Sequence, residues 1–378
     1  MKKVPLASVA RILQGGRHGL SGLNFTNTGY PAYGAGGLNG YLPSWEYDEA
    51  GIVLSSIGAR CGKCFLVSGK WISLANTQVI LPIPKKADTN FLFYQLNDEQ
   101  SWRRSGTAQP FIKPSDVKNR EVYLPPTLDE QRRIAAILQK ADYIRQNRLE
   151  SILMTNELIR SNFFEMFGDP GTNPKKWDRV PISELLIDRP NAIRTGPFGS
   201  QLRHSEFITE GVPVLAIDNI VTNEFKWTEP RCLPRSKYEA FKRYRVFPRD
   251  VIVTIMGTTG RAAVAPDDLP ECMSTKHLCV MTLNQDKVDS FFIWATLIFD
   301  QTVKQQASLA GGGAIMEGWN MSIISNLHVR VPPLPEQNKF SNVLSKLKEN
   351  QELQKKSLDS SEVLFNSLIY QAFRGELQ

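Results

Sequence analysis

Two long stretches of this chain carry apolar side chains at intervals built from three and four, the period of one helical face. In the first they are Ile134, Leu138, Ala141, Leu149, Ile152, Ile159, Phe163 and Met166. An offset of 206 maps these onto Phe340, Leu344, Leu347, Lys355, Leu358, Phe365, Ile369 and Ala372, so all but Lys355 remain apolar. Each stripe is interrupted by polar residues, Arg145 and Asn156 in the first, Gln351 and Glu362 in the second. Thr127-x-x-Glu130 has the form of a capping box, and Pro335 suits a first helical turn. Gly168 with Pro170, and Gly375, read as stops. The pattern predicts two helices of roughly 57 Å each. One helix lying along its own domain would also show a single stripe, but two equal stripes favour packing on each other. If they pair antiparallel, the spacer contacts are Ile134, Leu138, Ala141, Leu149, Ile152, Ile159 and Phe163 against Leu344, Leu347, Leu358, Phe365 and Ile369.

The segments before each helix also repeat. Val4-Pro5-Leu6-Ala7-Ser8-Val9 resembles Val180-Pro181-Ile182-Ser183-Glu184-Leu185, and strand-like Ile52–Gly58 resembles Val251–Gly257. Pro125-Pro126-Thr127-Leu128-Asp129-Glu130-Gln131 matches Pro332-Pro333-Leu334-Pro335-Glu336-Gln337 best. Short strands are expected at 71–74, 78–81, 213–217 and 277–281, and helices at 90–101 and 291–306. The fold class is therefore α+β. Mixed α/β modules at 1–126 and 169–331 are separated by long helices at 127–168 and 332–378, which form an antiparallel, coiled-coil-like spacer with a pseudo-two-fold axis.

Charge sharpens this picture. The net charge of +7 suits a polyanionic partner. Residues 128–167 hold six basic and six acidic residues, so the first long helix is neutral. Residues 226–249 hold eight basic residues and two acids, interleaved with Trp227, Tyr238, Phe241, Tyr244 and Phe247. That mixture fits phosphate contact combined with stacking, although a solvated face with its aromatics turned inward would look the same. Glycine turns at 14–18, 34–39 and 311–313 would let the backbone approach a groove. The candidate DNA contacts are Arg17, His18, Asn39, Arg60, Lys63, Arg103, Arg104, Arg194, Arg203, Lys226, Arg231, Lys237, Lys242, Arg243, Arg245 and Arg261.

Other chemistries find little support. Gly58-Ala59-Arg60-Cys61-Gly62-Lys63 resembles a phosphate loop, but its glycines are one residue too close, and Cys64 stands where a hydroxyl should bind magnesium. Cys61-x-x-Cys64 could be half a zinc site, but no second pair of suitable spacing follows, and small buried residues are the simpler reading. The four histidines show no ligand spacing, and no GxSxG motif or glycine-rich cofactor loop is found. Five scattered cysteines suggest a reducing cytoplasm rather than a disulfide framework. Pro5, Ser8 and Arg11 interrupt any signal-peptide core after Met1-Lys2-Lys3, and the longest apolar run, Phe291–Phe299, is too short to span a bilayer.

The segments 124–138, beginning Leu-Pro-Pro-Thr-Leu-Asp-Glu-Gln, and 331–337, Val-Pro-Pro-Leu-Pro-Glu-Gln, resemble the conserved-region starts of type I restriction–modification specificity subunits. The order of two recognition domains, each followed by a long helix, is similar too. Asn338-Lys339-Phe340 departs from the usual Arg-Arg-Ile-Ala run. The resemblance implies a non-catalytic subunit that binds double-stranded DNA at two half-sites separated by an unspecified gap. It also implies assembly with two modification (methyltransferase) subunits and with restriction (motor-nuclease) subunits. S-adenosylmethionine, ATP and magnesium would belong to those partners, and no cofactor or metal to this chain. Two other functions compete with it: a self-contained methyltransferase or nuclease, and a protein that binds modification subunits without reading DNA.

Overall fold

The computed structural model describes residues 1–16, 24–106, 108–198, 201–310 and 318–377. They form two compact units, Met1–Ser151 with Leu353–Gln378, and Ile152–Glu352. Each unit thus combines one globular body with one stretch of each long helix.

In the first unit the strands are β1 (Lys2–Pro5), β2 (Ala10–Gln14), β3 (Tyr30–Gly34), β4 (Gly37–Leu42), β5 (Tyr47–Asp48), β6 (Gly51–Ser55), β7 (Cys64–Val67), β8 (Lys70–Ser73), β9 (Thr77–Pro82) and β10 (Glu121–Leu124). The helices are α1 (Thr89–Leu96), α2 (Pro114–Lys118) and the start of α3 (Leu128–Phe167). The second unit contains β11 (Arg179–Pro181), β12 (Ile193–Thr195), β13 (Val212–Leu215), β14 (Cys232–Leu233), β15 (Arg245–Val246), β16 (Val251–Thr254), β17 (Ala262–Val264), β18 (Cys272–Ser274), β19 (Leu278–Met281) and β20 (His328–Arg330). Its helices are α4 (Arg235–Ala240), α5 (Ser290–Phe299), α6 (Gln301–Ala310), α7 (Met321–Ser325) and the start of α8 (Leu334–Arg374).

The duplication seen in the sequence is also topological. One unit orders its sheets β2-β9-β6-β7, β4-β3-β8-β5 and β1-β10; the other uses β12-β19-β16-β17, β14-β13-β18-β15 and β11-β20. The single parallel pair recurs as well, β3 with β8 and β13 with β18. The central strands are buried on both faces. Ile52 and Leu54 of β6 enter one core with Ile80, while Val53 enters another with Val79 and Trp71. Strand alternation requires that split. Helices α4 and α6 have no counterpart among the described residues of the first unit and account for part of its smaller size. The helix expected over 291–306 is two, because Asp300 breaks it and its carboxylate accepts from Thr302 N (2.8 Å) to start α6.

The long helices match their expected spans closely. Thr127 Oγ1 accepts from Glu130 N (3.2 Å), and Gly168 and Gly375 adopt left-handed φ of 75° and 77° at the stops. Within each unit the two stretches run antiparallel. In the first, Ile134, Leu138 and Ala372 share one core, Arg145 lies 5.2 Å over the Phe365 ring, and Gln354 donates to Ser151 Oγ (3.0 Å). In the second, Gln351 donates to Asn156 Oδ1 (2.8 Å), and Phe163 and Phe167 each lie 5.6 Å from Phe340. The apolar seam is therefore confined to the helix ends. Between them Thr155, Gln351 and Ser361 are the buried residues, and Ala141, Ile152, Leu347, Leu358, Phe365 and Ile369 are only half-buried. Leu149 is 44% exposed, the most open of the expected seam positions, and its repeat counterpart is Lys355.

Repeated glutamines fasten the helix starts. Gln131 Oε1 accepts from Asp88 N (2.9 Å) and Gln337 Oε1 from Asp289 N (2.9 Å). Their amides donate to Lys86 O and Pro332 O. Asp88 and Asp289 in turn cap α1 and α5 through Phe91 N and Phe291 N. Both glutamines are buried, so removing either amide strands a buried backbone N–H. Gln131→Ala and Gln337→Ala should each cost about 1–3 kcal/mol in urea denaturation. Losses under half that would show that the amides are dispensable.

Candidate nucleic-acid interface

The sheet ends of each unit gather loops from separate strands. In the first unit, Gly15 N donates to Thr77 O (3.0 Å), Ser56 N to Asn76 O (3.0 Å) and Ile112 N to Ser56 O (2.9 Å). In the second, Gly196 N donates to Thr275 O (3.3 Å) and Ile255 N to His277 O (2.9 Å). A Cβ on Gly15 would meet Thr77 Oγ1 at 2.0 Å, and one on Gly196 would meet Ser274 O at 2.0 Å. These glycines are therefore needed where the protein approaches itself, a different role from the groove approach expected at Gly15.

Some candidates in the first unit come together here. Arg60 donates to Gly36 O (3.0 Å), which ties the β6–β7 loop to the β3–β4 turn beside exposed Asn39. Lys63 is half-buried on the same loop. Arg103 and Arg104 are exposed elsewhere, where Arg104 lines a cavity of about 720 Å³ with Tyr94, Asp142 and Phe365. Arg17 and His18 lie outside the described residues, as does the turn at 311–313.

The 58–63 segment is not a nucleotide cradle, because it joins two strands, β6 and β7, rather than opening a helix. Cys61 and Cys64 are core residues whose thiols donate to Ser56 O and Leu96 O (both 3.4 Å). Burial pushes both thiols above the ordinary cysteine range. No cluster of three metal-ligating side chains occurs among the described residues. None of the described helices is long and apolar enough to cross a membrane.

In the second unit most cations of the basic segment have carboxylate partners. Lys226 pairs with Glu224 (3.9 Å), Arg231 with Asp218 (2.7 Å), Lys237 with Glu206, Lys242 with Glu239, and Arg245 with Glu271 (3.3 Å). Arg235 holds Glu239 and Glu271, and Arg249 holds Asp289 (2.7 Å). Arg243 alone has no ion pair among the described residues; it donates to Tyr244 Oη (2.8 Å). The aromatics mostly face inward. Tyr238 is fully buried, Phe241 and Tyr244 pack on its cluster, and Phe247 lies under Arg189, Arg194 and Arg245; Trp227 is exposed. The acids come largely from outside the segment, so its local composition did not show them.

Arg194 is corrected as a DNA contact. It is 4% exposed, pairs with Asp250, and donates to Thr282 Oγ1 (2.9 Å) and Arg245 O (2.7 Å). A guanidinium so enclosed cannot reach a phosphate. Arg203 and Arg261 remain exposed. Arg261 lines a cavity of about 780 Å³ with Asn223, Thr258, Thr259, Lys304 and Trp319. Sequence reasoning picked only Arg261 of these, because the others are scattered over four separate segments.

Two predictions follow from these pairings. Arg194→Met should destabilise by about 3–5 kcal/mol by leaving the Asp250 carboxylate buried without its counter-charge, and the Arg194→Met/Asp250→Leu double variant should recover most of the loss in the same denaturation assay. Because Arg235 and Lys242 are already paired, Arg235→Gln and Lys242→Gln should leave the salt dependence of DNA affinity within about half a unit of wild type. A fall of about one unit per residue would instead place them on phosphates.

The fold and sequence have known counterparts. The model of the type I restriction modification DNA specificity domain matches residues 1–154 and 174–360. The type I restriction enzyme MjaVIII specificity subunit of Methanocaldococcus jannaschii is 22% identical over 88% of this chain and 80% of its own. The crystal structure of a type I restriction–modification S subunit from M. genitalium superposes with TM-score 0.64 at 16% identity, over 98% of this chain and 96% of that one. A structure described as the basis of complex assembly and conformational transition of the type I R-M system gives TM-score 0.54 at 18% identity, over 100% and 98%. With both repeats matched by the family model, this chain belongs to the type I restriction–modification DNA specificity family.

Proposed function

We propose that this chain is the DNA-recognition subunit of a type I restriction–modification complex, reading an asymmetric target of two half-sites and contributing no catalysis of its own. The observation that carries the reading is one strand order built twice, each copy joined to a stretch of the same two continuous helices. Two copies with different loop sequences give two different half-sites. Helices of 40 and 41 residues, about 60 Å long, set the distance between them.

Modification subunits are the partners that fit the helices. In the first unit Tyr143, Val363 and Tyr370 are 55–71% exposed, and in the second Leu153, Met154 and Leu158 are 53–61% exposed. Apolar surface of this extent along helices marks a protein contact. S-adenosylmethionine, ATP and magnesium would be bound by the modification and restriction subunits.

The test is to coexpress the chain with its modification subunit and map methylated sites by sequencing. The expected result is one asymmetric bipartite motif with a fixed gap. Inserting one heptad at matched points of α3 and α8 should change the gap and leave the half-sites intact. An unchanged gap, or a motif without two separated parts, overturns the reading. Methylation by the purified chain alone would favour the self-contained enzyme.

A further inference from the structure

The cavity beside Arg261 differs from the rest of the basic surface. Its walls are Asn223, Gly257, Thr258, Thr259, Gly260, Arg261, Ile298, Lys304 and Trp319, and no carboxylate is among them. Neither Arg261 nor Lys304 has an ion pair among the described residues, whereas almost every cation of the 226–249 segment has one. Lys304 is half-buried. Desolvation lowers its proton affinity, and repulsion from Arg261 and Arg160 lowers it further. Like charges held together without a counter-charge are unfavourable in the free protein and become favourable when an anion arrives between them.

The frame around them is fixed. Thr254 Oγ1 accepts from Arg261 N (3.0 Å), and Gly260 N donates to Thr254 O (2.9 Å). Trp294 Nε1 donates to Asn223 O and Ala262 O (both 3.0 Å). Gly257 and Gly260, at φ of 74° and 83°, turn the loop so that Thr258 and Thr259 lie at its tip. At the matching β6–β7 loop of the first unit, protein occupies the space. There Gly62 packs on the Glu99 backbone and Trp102, and Cys64 N is taken by Asn97 Oδ1 (3.1 Å). Lys304 comes from α6, one of the two helices without a counterpart among the first unit's described residues.

We propose that this cavity seats a backbone phosphate of the bound DNA, gripped by Arg261 and Lys304 with the Thr258 and Thr259 hydroxyls beside them. The inference rests on the reading that the chain binds DNA. It makes the contact sequence-independent and specific to the second repeat, so it anchors that half of the protein without reading a base.

The test uses the full chain, a labelled mixed-sequence DNA duplex and a potassium chloride titration. Lys304→Gln and Arg261→Gln should each lower the slope of log affinity against log salt by about one unit. Each should also weaken binding about tenfold at low salt, and equally on unrelated duplexes. Without DNA, the Tm of Lys304→Gln should hold or rise, because a repelled cation has been removed. An unchanged slope overturns the proposal. So does a Tm fall of several degrees, which would mean that the lysine already has an internal partner. Inorganic phosphate is the second probe. If it raises the Tm of wild type but not of Lys304→Gln while the duplex slopes agree, the cavity takes free phosphate and not DNA. Wild type failing to bind duplex at low salt would refute the proposed function itself, whereas wild-type binding with unchanged variant slopes would refute the phosphate seat alone.

Discussion

The buried amide of a glutamine at the start of each long helix is the contact on which the architecture depends. Gln131 and Gln337 take the backbone N–H of the aspartate that caps the neighbouring short helix, and their own amides reach a carbonyl. Four polar groups are satisfied at one buried point, so a small rotation of the long helix would leave several unmet. The helix direction is therefore set by the domain it leaves, and the phenylalanines at 163, 167 and 340 lock the second unit's seam onto the same body. Between the locked ends the seam is polar. Hydrogen bonds such as Gln351 to Asn156 select a register more sharply than apolar contacts, which tolerate sliding.

Much of this was legible along the chain. The capping threonine and stop glycines act within a few residues, so the helix limits could be read locally. The doubled Pro-Pro-x-x-Glu-Gln segment marked the duplication, although the buried role of its glutamine needed the fold. Leu149 shows the limit of periodicity: an apolar residue on the right face can still lie 44% exposed, because burial depends on what the fold brings against it.

Charge was the least legible property. Eight cations within 24 residues looked like an open phosphate-binding surface, but Asp218, Glu206, Glu271 and Asp289 arrive from distant segments to meet them. Arg194, an ordinary arginine in the sequence, lies inside the second unit against Asp250. By contrast Lys304, on a helix with no basic cluster, keeps its charge uncompensated among the described residues. A cation's availability is set by tertiary neighbours, which local composition does not contain.

The pairing of β1 with β10 and of β11 with β20 has an evolutionary corollary. In both bodies the strand on which the chain arrives lies against the strand on which it departs. Everything between those two strands is a cassette whose ends already sit side by side. A replacement would have to preserve the closing pair, the glutamine behind it and also the apolar face that packs on the long helices, such as Phe91 against Ile134 and Ala372 in the first unit and Phe292 against Phe163 and Phe340 in the second. Chain ends that already meet are the geometry in which an inserted segment disturbs its flanks least.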